Sequence, residues 1–259
     1  MRIPMFQVDA FTSQVFRGNP AAVCLLERWL DDGTLQSIAA ENNLSDTAYL
    51  VGGDGSYEVR WMTPKQEVDL CGHATLASAF VLFAGAEKGR EEIVFRSKSG
   101  ELKVRRDGDL LTLDFPARPP QPMTASEELL EGLGRPPREV WAARDYLAVF
   151  ETEEQVRTLV PDYERLARVD RFAIIATAPG TRVDFVSRFF APRQGIPEDP
   201  VTGSAHCTLV PFWSRRLGKK KLHALQVSPR GGELFCEDRG DRVAISGRAV
   251  RYLEGTIEI

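Results

Sequence analysis

Arg60-Trp61-Met62-Thr63-Pro64-Lys65-Gln66-Glu67-Val68 and Arg188-Phe189-Phe190-Ala191-Pro192-Arg193-Gln194-Gly195-Ile196 decide the fold, because the second repeats the first at a constant offset of 128 residues. Arginine, proline and glutamine occupy the same places, two large apolar residues follow the arginine in both, and Lys65 is answered by Arg193. Each copy leads through a glycine-containing turn into a run of small and apolar residues, Ala74 to Ala84 in one case and Cys207 to Leu217 in the other. Runs of about 11 residues are too short to span a bilayer and suit buried central helices. A chance likeness between two strand ends is the competing explanation, but the strand–turn–helix order recurs with the motif. The expectation is an α+β chain of two pseudo-symmetric halves. Each half is a curved, mostly antiparallel sheet or barrel around one central helix, and ligands favour the crevice between such halves.

Outward from the repeat, period-2 alternation marks strands at Met5–Phe11 and Tyr57–Met62. Gly18-Asn19-Pro20 reads as a turn, Leu35, Ile38 and Ala39 have helical spacing, and Asp107-Gly108-Asp109 reads as a hairpin. Phe115 to Pro122 is the most proline-rich stretch and the natural boundary. It sets the halves at 1–118, with a central helix near 73–84, and 119–259, with a central helix near 204–217. The last strand is left free to return to the first half.

Composition excludes several classes. The 259 residues are 43% hydrophobic and 27% charged, a globular profile. Thirty-three basic against 37 acidic residues leave a net charge of −4, so a nucleic-acid partner is not expected. The basic run from Arg215 to Lys221 reads as a solvated helix end and loop. The cysteines Cys24, Cys71, Cys207 and Cys236 have no CxxC spacing, and His73, His206 and His223 form no HExxH pattern. Reduced thiols and no metal site are therefore expected. With no signal peptide and no membrane-length apolar run, the expected compartment is the cytoplasm, with no membrane partner.

The chemistry concentrates at the two turns. Leu70-Cys71-Gly72-His73-Ala74-Thr75 and Asp199-Pro200-Val201-Thr202-Gly203-Ser204-Ala205-His206 each open a helix, whose first N–H groups and dipole favour an anion. Gly72 and Gly203 permit close backbone approach, and Thr202 and Ser204 offer hydroxyl donors. The two turns are expected to face each other across one cleft and hold a small carboxylate-bearing substrate. Plain turn formation explains the glycines equally simply. His73, at a helix start, is either a neutral hydrogen-bonding imidazole or a structural histidine. Asp199 is either an acid–base group or a turn-former. Cys71 reads more readily as a buried bystander than as an activated thiol, and His206 as structural. Asp46, in Asn43-Leu44-Ser45-Asp46-Thr47, fits an Asx turn or cap; physics alone does not select it.

Val8-Asp9-Ala10-Phe11, Gly18-Asn19-Pro20-Ala21-Ala22-Val23, the Asn43–Thr47 and Cys71–Thr75 segments, Glu198–His206, Arg230-Gly231-Gly232 and Gly240-Asp241-Arg242-Val243 together resemble the PhzF-like proteins of phenazine biosynthesis. The match runs through essentially the whole chain. The resemblance implies the diaminopimelate-epimerase-like fold, a homodimer, and a cofactor-free isomerase that shifts a proton within a small carboxylate-bearing substrate. It places Asp46 as proton carrier, His73 and Asp199 as polar partners, and Gly203 with Ser204 as carboxylate holders. Family members carry glutamate where this chain has Asp46, a reach shorter by about 1.5 Å, and misplacement on that scale can cost ~100-fold in rate. Two alternatives follow. One is an epimerase or racemase using Cys71 or Asp46 with Asp199, a two-thiol version being disfavoured because no cysteine stands beside Asp199. The other is a catalytically weak ligand-binding protein of the same fold.

Overall fold

The computed structural model describes all 259 residues, Met1–Ile259. In chain order the first elements are β1 (Arg2–Ala10), β2 (Asn19–Leu26), α1 (Asp32–Asn42), β3 (Asp46–Gly53), β4 (Ser56–Met62), β5 (Glu67–Val68), α2 (Gly72–Ala84), β6 (Glu92–Ser97), β7 (Gly100–Asp107) and β8 (Leu110–Pro116). There follow β9 (Gln121–Pro122), α3 (Glu127–Gly132), β10 (Glu139–Ala142), β11 (Tyr146–Val149), α4 (Glu153–Arg157), α5 (Tyr163–Leu166), β12 (Ile174–Pro179), β13 (Phe185–Ala191) and β14 (Ile196–Asp199). The chain ends with α6 (His206–Leu217), β15 (Lys221–Gln226), β16 (Gly232–Asp238), β17 (Arg242–Gly247) and β18 (Ala249–Glu258). It divides into two compact units: Met1–Asp114 together with Ser246–Ile259, and Phe115–Ile245. No helix is long and apolar enough to cross a membrane.

In the first unit β1 lies between β18 and β2, antiparallel to both. From there the pairing runs β2–β3 parallel, β3–β4 antiparallel, β4–β6 parallel, then β6–β7 and β7–β8 antiparallel. The short β5 folds back antiparallel on β4. In the second unit β10–β11 is antiparallel, β11–β12 parallel, β12–β13 antiparallel, β13–β15 parallel and β15–β16 antiparallel, with β14 folding back on β13. The alternation is the same in both units, so the sequence repeat is a repeat of sheet topology. Each unit is α+β.

α2 shows why the sheet must wrap. Of its 13 residues only Phe80 and Ala84 are not buried. It packs on β1, β2, β3, β7 and β18, all of its own unit. Its polar residues turn inward on its own backbone: Thr75 donates its hydroxyl to the Cys71 carbonyl and Ser78 to the Ala74 carbonyl at 2.7 Å. α6 is the second unit's counterpart, buried from His206 to Val210 and again from Phe212 to Ser214, against β15 and β16. Trp213 stacks on Phe185 at 5.7 Å between centroids and donates its indole N–H to Thr177 Oγ1 at 3.0 Å. Pro211, inside α6, has no N–H for the carbonyl four residues back. That carbonyl, on Cys207, accepts instead from the backbone N–H of Arg118 at 2.8 Å. The basic run does not stay loop throughout: Lys221 opens β15.

The repeated arginine has the same task in both copies. Arg60 forks onto Glu67 with two hydrogen bonds of 2.8 Å, tying β4 to β5. Arg188 forks onto Glu198 at 2.7 and 2.8 Å, tying β13 to β14. Arg188 is the more deeply committed, because its Nη1 also donates to the carbonyls of Val156, in the last turn of α4, and Leu159, just beyond it, at 3.3 and 2.8 Å. Its side chain is 8% exposed against 18% for Arg60, and Lys98 also reaches Glu67 at 2.7 Å. Removing one partner of a buried pair strands the other charge. Arg188→Met is therefore expected to cost about 3–5 kcal/mol and Arg60→Met about 1 kcal/mol in urea unfolding. Equal losses would show that the two arginines do not differ in this way.

Candidate active site

The first unit assembles a polar cluster from three separate segments. α1 ends at Asn43, which takes the left-handed conformation (φ 48°) while its N–H bonds back to Ala39 O. This conformation, which asparagine tolerates well, swings the chain into β3 and sets Asp46 at the strand's first position. Cys71 is the extended N-cap residue of α2, and its side chain makes no capping bond. His73 is the helix's second residue. Asn19 opens β2 directly after Gly18, whose φ of 64° and whose approach to Ala10 O leave no room for a β-carbon.

These side chains meet under cover, with Asp46 7%, Cys71 7% and His73 5% exposed. The Cys71 thiol donates to Asp46 Oδ2 at 3.3 Å and lies 3.4 Å from His73 Nδ1. His73 Nε2 stands 3.5 Å from the same Asp46 oxygen. Asn19 Nδ2 reaches His73 Nδ1 at 3.2 Å. With the Asn19 amide donating, Nδ1 is the acceptor and Nε2 carries the ring hydrogen toward Asp46. Burial depresses the His73 pKa to about 3, so the imidazole is neutral near pH 7. Asp46 thus has two hydrogen-bearing neighbours of no net charge, the thiol and the ring.

In the second unit the Asp199–His206 turn is held from behind by the end of β15 and the loop after it. Gln226 accepts from the Thr202 N–H at 2.8 Å and donates to the Asp199 carbonyl at 2.7 Å. The Ser228 hydroxyl donates to the Pro200 carbonyl at 2.8 Å. Thr202 is expected from the sequence to offer its hydroxyl to a ligand, but here that hydroxyl donates to Asp199 Oδ2 and receives Gln226 Nε2 at 3.3 Å. Gly203–Ala205 form one 3₁₀ turn before α6, with Gly203 buried and Ser204 half-buried. His206 Nδ1 donates to the Thr202 carbonyl at 2.9 Å, and burial lowers its pKa to about 4, consistent with a structural part. Cys207 is the second residue of α6, and burial pushes its thiol up to about 11.

Asp46, Cys71, Gly72 and His73 therefore come together in one unit, and Asp199, Thr202, Gly203 and Ser204 in the other. Two residues that hold these groups carry no signal of their own. Asn19 reads only as a turn residue, and Gln226 reads as an ordinary strand polar residue 24 positions from the Thr202 it fixes.

Comparison with known proteins agrees along the full chain. The family model described as phenazine biosynthesis-like protein, PhzC-PhzF, matches residues 8–255. The chain is 51% identical to a Pseudomonas aeruginosa protein named an uncharacterized isomerase, over 259 residues and 100% of both chains. It is similar to the crystal structure of a PhzF-family phenazine biosynthesis protein from Enterococcus faecalis, at 46% identity, complete coverage of both chains and a TM-score of 0.97. A hydroxyproline epimerase from Agrobacterium vitis shares the fold at 11% identity and a TM-score of 0.67, covering 99% of this chain and 92% of that one.

The buried histidines set the acid limb of stability. Unfolded, each titrates near 6.5; folded, His73 and His206 titrate near 3 and 4. Between those values the unfolded chain binds protons that the native chain does not, so stability falls as pH falls through 6.5. The expected slope approaches about 1.4 kcal/mol per pH unit for each histidine. Urea midpoints at a series of pH values from neutral down to about 5 measure it, and a flat profile would rule the mechanism out.

Proposed function

Because the chain belongs to the PhzC-PhzF family of phenazine biosynthesis-like proteins, we propose that it is an isomerase moving a proton within a small carboxylate-bearing substrate, by general acid–base chemistry and without a cofactor. The observation that carries this is the buried contact of Asp46 with Cys71 and His73. A carboxylate in such a site takes a proton from a substrate carbon as base and returns it to another carbon as acid. The neutral ring and the thiol adjust to each state of Asp46 by hydrogen bonding, so no charge has to be created or neutralised beside it. Asp46 keeps a small exposure of 7%, so the proton it carries exchanges with solvent between the two steps and the hydrogen returned to carbon reports the solvent.

The proposal assigns the substrate's carboxylate to Gly203 and Ser204, with Asp199 as a further polar group oriented by Thr202. The support is that the Asp199–Thr202 backbone is clamped by Gln226 and Ser228 and is thus preorganised. The Cys71 position favours one second reading, an epimerase in which the thiol rather than Asp46 exchanges the proton.

Incubation in D2O with a panel of cyclic and amino-acid carboxylates separates these. Asp46→Asn is expected to slow deuterium incorporation at carbon by about 100-fold or more, the usual scale for a general acid–base group. Ser204→Ala is expected to raise KM several-fold with less effect on kcat. Exchange that survives Asp46→Asn but is lost with Cys71→Ala would establish the thiol mechanism instead. No exchange with any carboxylate that binds would leave a ligand-binding protein.

A further inference from the structure

Asp46 Oδ2, Cys71 Sγ and His73 Nε2 form a triangle with edges of 3.3 Å (S to O), 3.5 Å (N to O) and 4.0 Å (S to N). A tetrahedral zinc-type ion with bonds of about 2.3 Å to sulfur and about 2.0 Å to nitrogen and oxygen needs donor-to-donor edges of about 3.3–3.6 Å. The three atoms are thus within about half an ångström of a ligand face, before any side chain moves. No other three histidine, cysteine or carboxylate side chains of the chain come together in this way. We propose that these three residues form a binding site for a thiophilic divalent cation such as Zn2+ or Cd2+, one per chain, and that the ion acts as an inhibitor.

The donor set makes the choice of ion. One thiolate, one imidazole and one carboxylate select borderline and soft cations over Mg2+ and Ca2+, which require an all-oxygen shell. Three protein donors leave the fourth position open to water or to a substrate carboxylate. Binding balances as a ligand exchange: the Cys71 S–H bond breaks, a sulfur–metal bond forms, and the proton leaves to solvent. The His73 ring hydrogen moves from Nε2 to Nδ1, freeing Nε2 for the ion. Asn19 already touches Nδ1, and rotation of its amide by half a turn presents its carbonyl oxygen to the new N–H. The site has the orienting partner that metal-binding histidines ordinarily have.

The spacing of these residues in sequence gives no zinc motif, since Asp46 comes from a strand and the other two from a helix start. The site itself stands on geometry alone; only the inhibition rests on Asp46 being the proton carrier. With the cation on Asp46 Oδ2, that oxygen is taken up and the positive charge lowers the proton affinity of the whole carboxylate, so it is a poor acceptor for a substrate proton.

Titration of the purified full-length protein with Cd2+ tests it, following the ultraviolet thiolate-to-cadmium charge-transfer band. The expected result is a band that saturates at one ion per chain and is abolished in Cys71→Ser. Asp46→Asn, nearly isosteric, should keep the band and weaken affinity at least tenfold. It therefore serves as the deciding variant if Cys71→Ser does not fold. A band that persists in folded Cys71→Ser, an unchanged affinity in Asp46→Asn, or no band at millimolar Cd2+ overturns the site. The D2O exchange assay run in parallel should lose activity at the same Cd2+ midpoint. Saturated binding with undiminished exchange would count against Asp46 as the proton carrier while leaving the metal site in place.

Discussion

A helix with no polar face has nowhere to lie at a protein surface, and α2 is such a helix. Burying it on every side is the constraint from which the first unit's architecture follows. A flat sheet covers one side of a helix, whereas a strongly curved one, running from β18 through β1 to β8, covers several. The demand extends to the few polar side chains that α2 carries, and Thr75 and Ser78 meet it by bonding to carbonyls one turn back. Only the helix's N-terminal end remains available for chemistry, and Cys71 and His73 stand there.

The second unit repeats the strand pairing but not the chemistry. One repeat length beyond Asp46 stands Ile174, and beyond Asn19 stands Leu147, both in the apolar interior. Beyond Cys71 stands Asp199. The duplicated scaffold has thus kept its sheet-pinning arginines, Arg60 and Arg188, while its two helix mouths have parted in character. One brings together a carboxyl, a thiol and an imidazole. The other presents backbone held by amide and hydroxyl hydrogen bonds. Neutral His73 suits the role proposed for Asp46, because a charged ring beside it would hold the carboxylate ionised and weaken it as a proton acceptor.

Much of this was legible in the residues. The Arg60 and Arg188 motifs report a duplicated hairpin, because a large side chain, an arginine and a proline at fixed spacing are what a pinned strand end requires. Apolar runs reveal both central helices, since burial on all sides leaves no amphipathic ambiguity. The acidic candidate was different. Asp46 looks like a turn aspartate until the fold brings β3 against the start of α2, and family resemblance, not spacing, selected it. Gln226 and Asn19 were illegible for a similar reason. Their partners lie 24 and 54 residues away, and a lone amide side chain in a strand leaves no periodic trace. The partner of the Thr202 hydroxyl was illegible as well: sequence shows a donor but not that Asp199 lies within its reach. The proline-rich stretch reads as a linker by composition, yet Pro211 leaves α6 a spare carbonyl that Arg118 takes up.

The return of β18 to β1 has a consequence for the order in which the protein is made. The first unit contains the chain's opening residues, but its sheet gains the strand beside β1 only when Ala249–Glu258 has been synthesised. The second unit, 115–245, has by then been synthesised whole. Vectorial synthesis normally lets the N-terminal part fold first. Here the unit begun first is completed last, so during translation the helix mouth bearing Asp46, Cys71 and His73 belongs to a sheet with one edge unfinished.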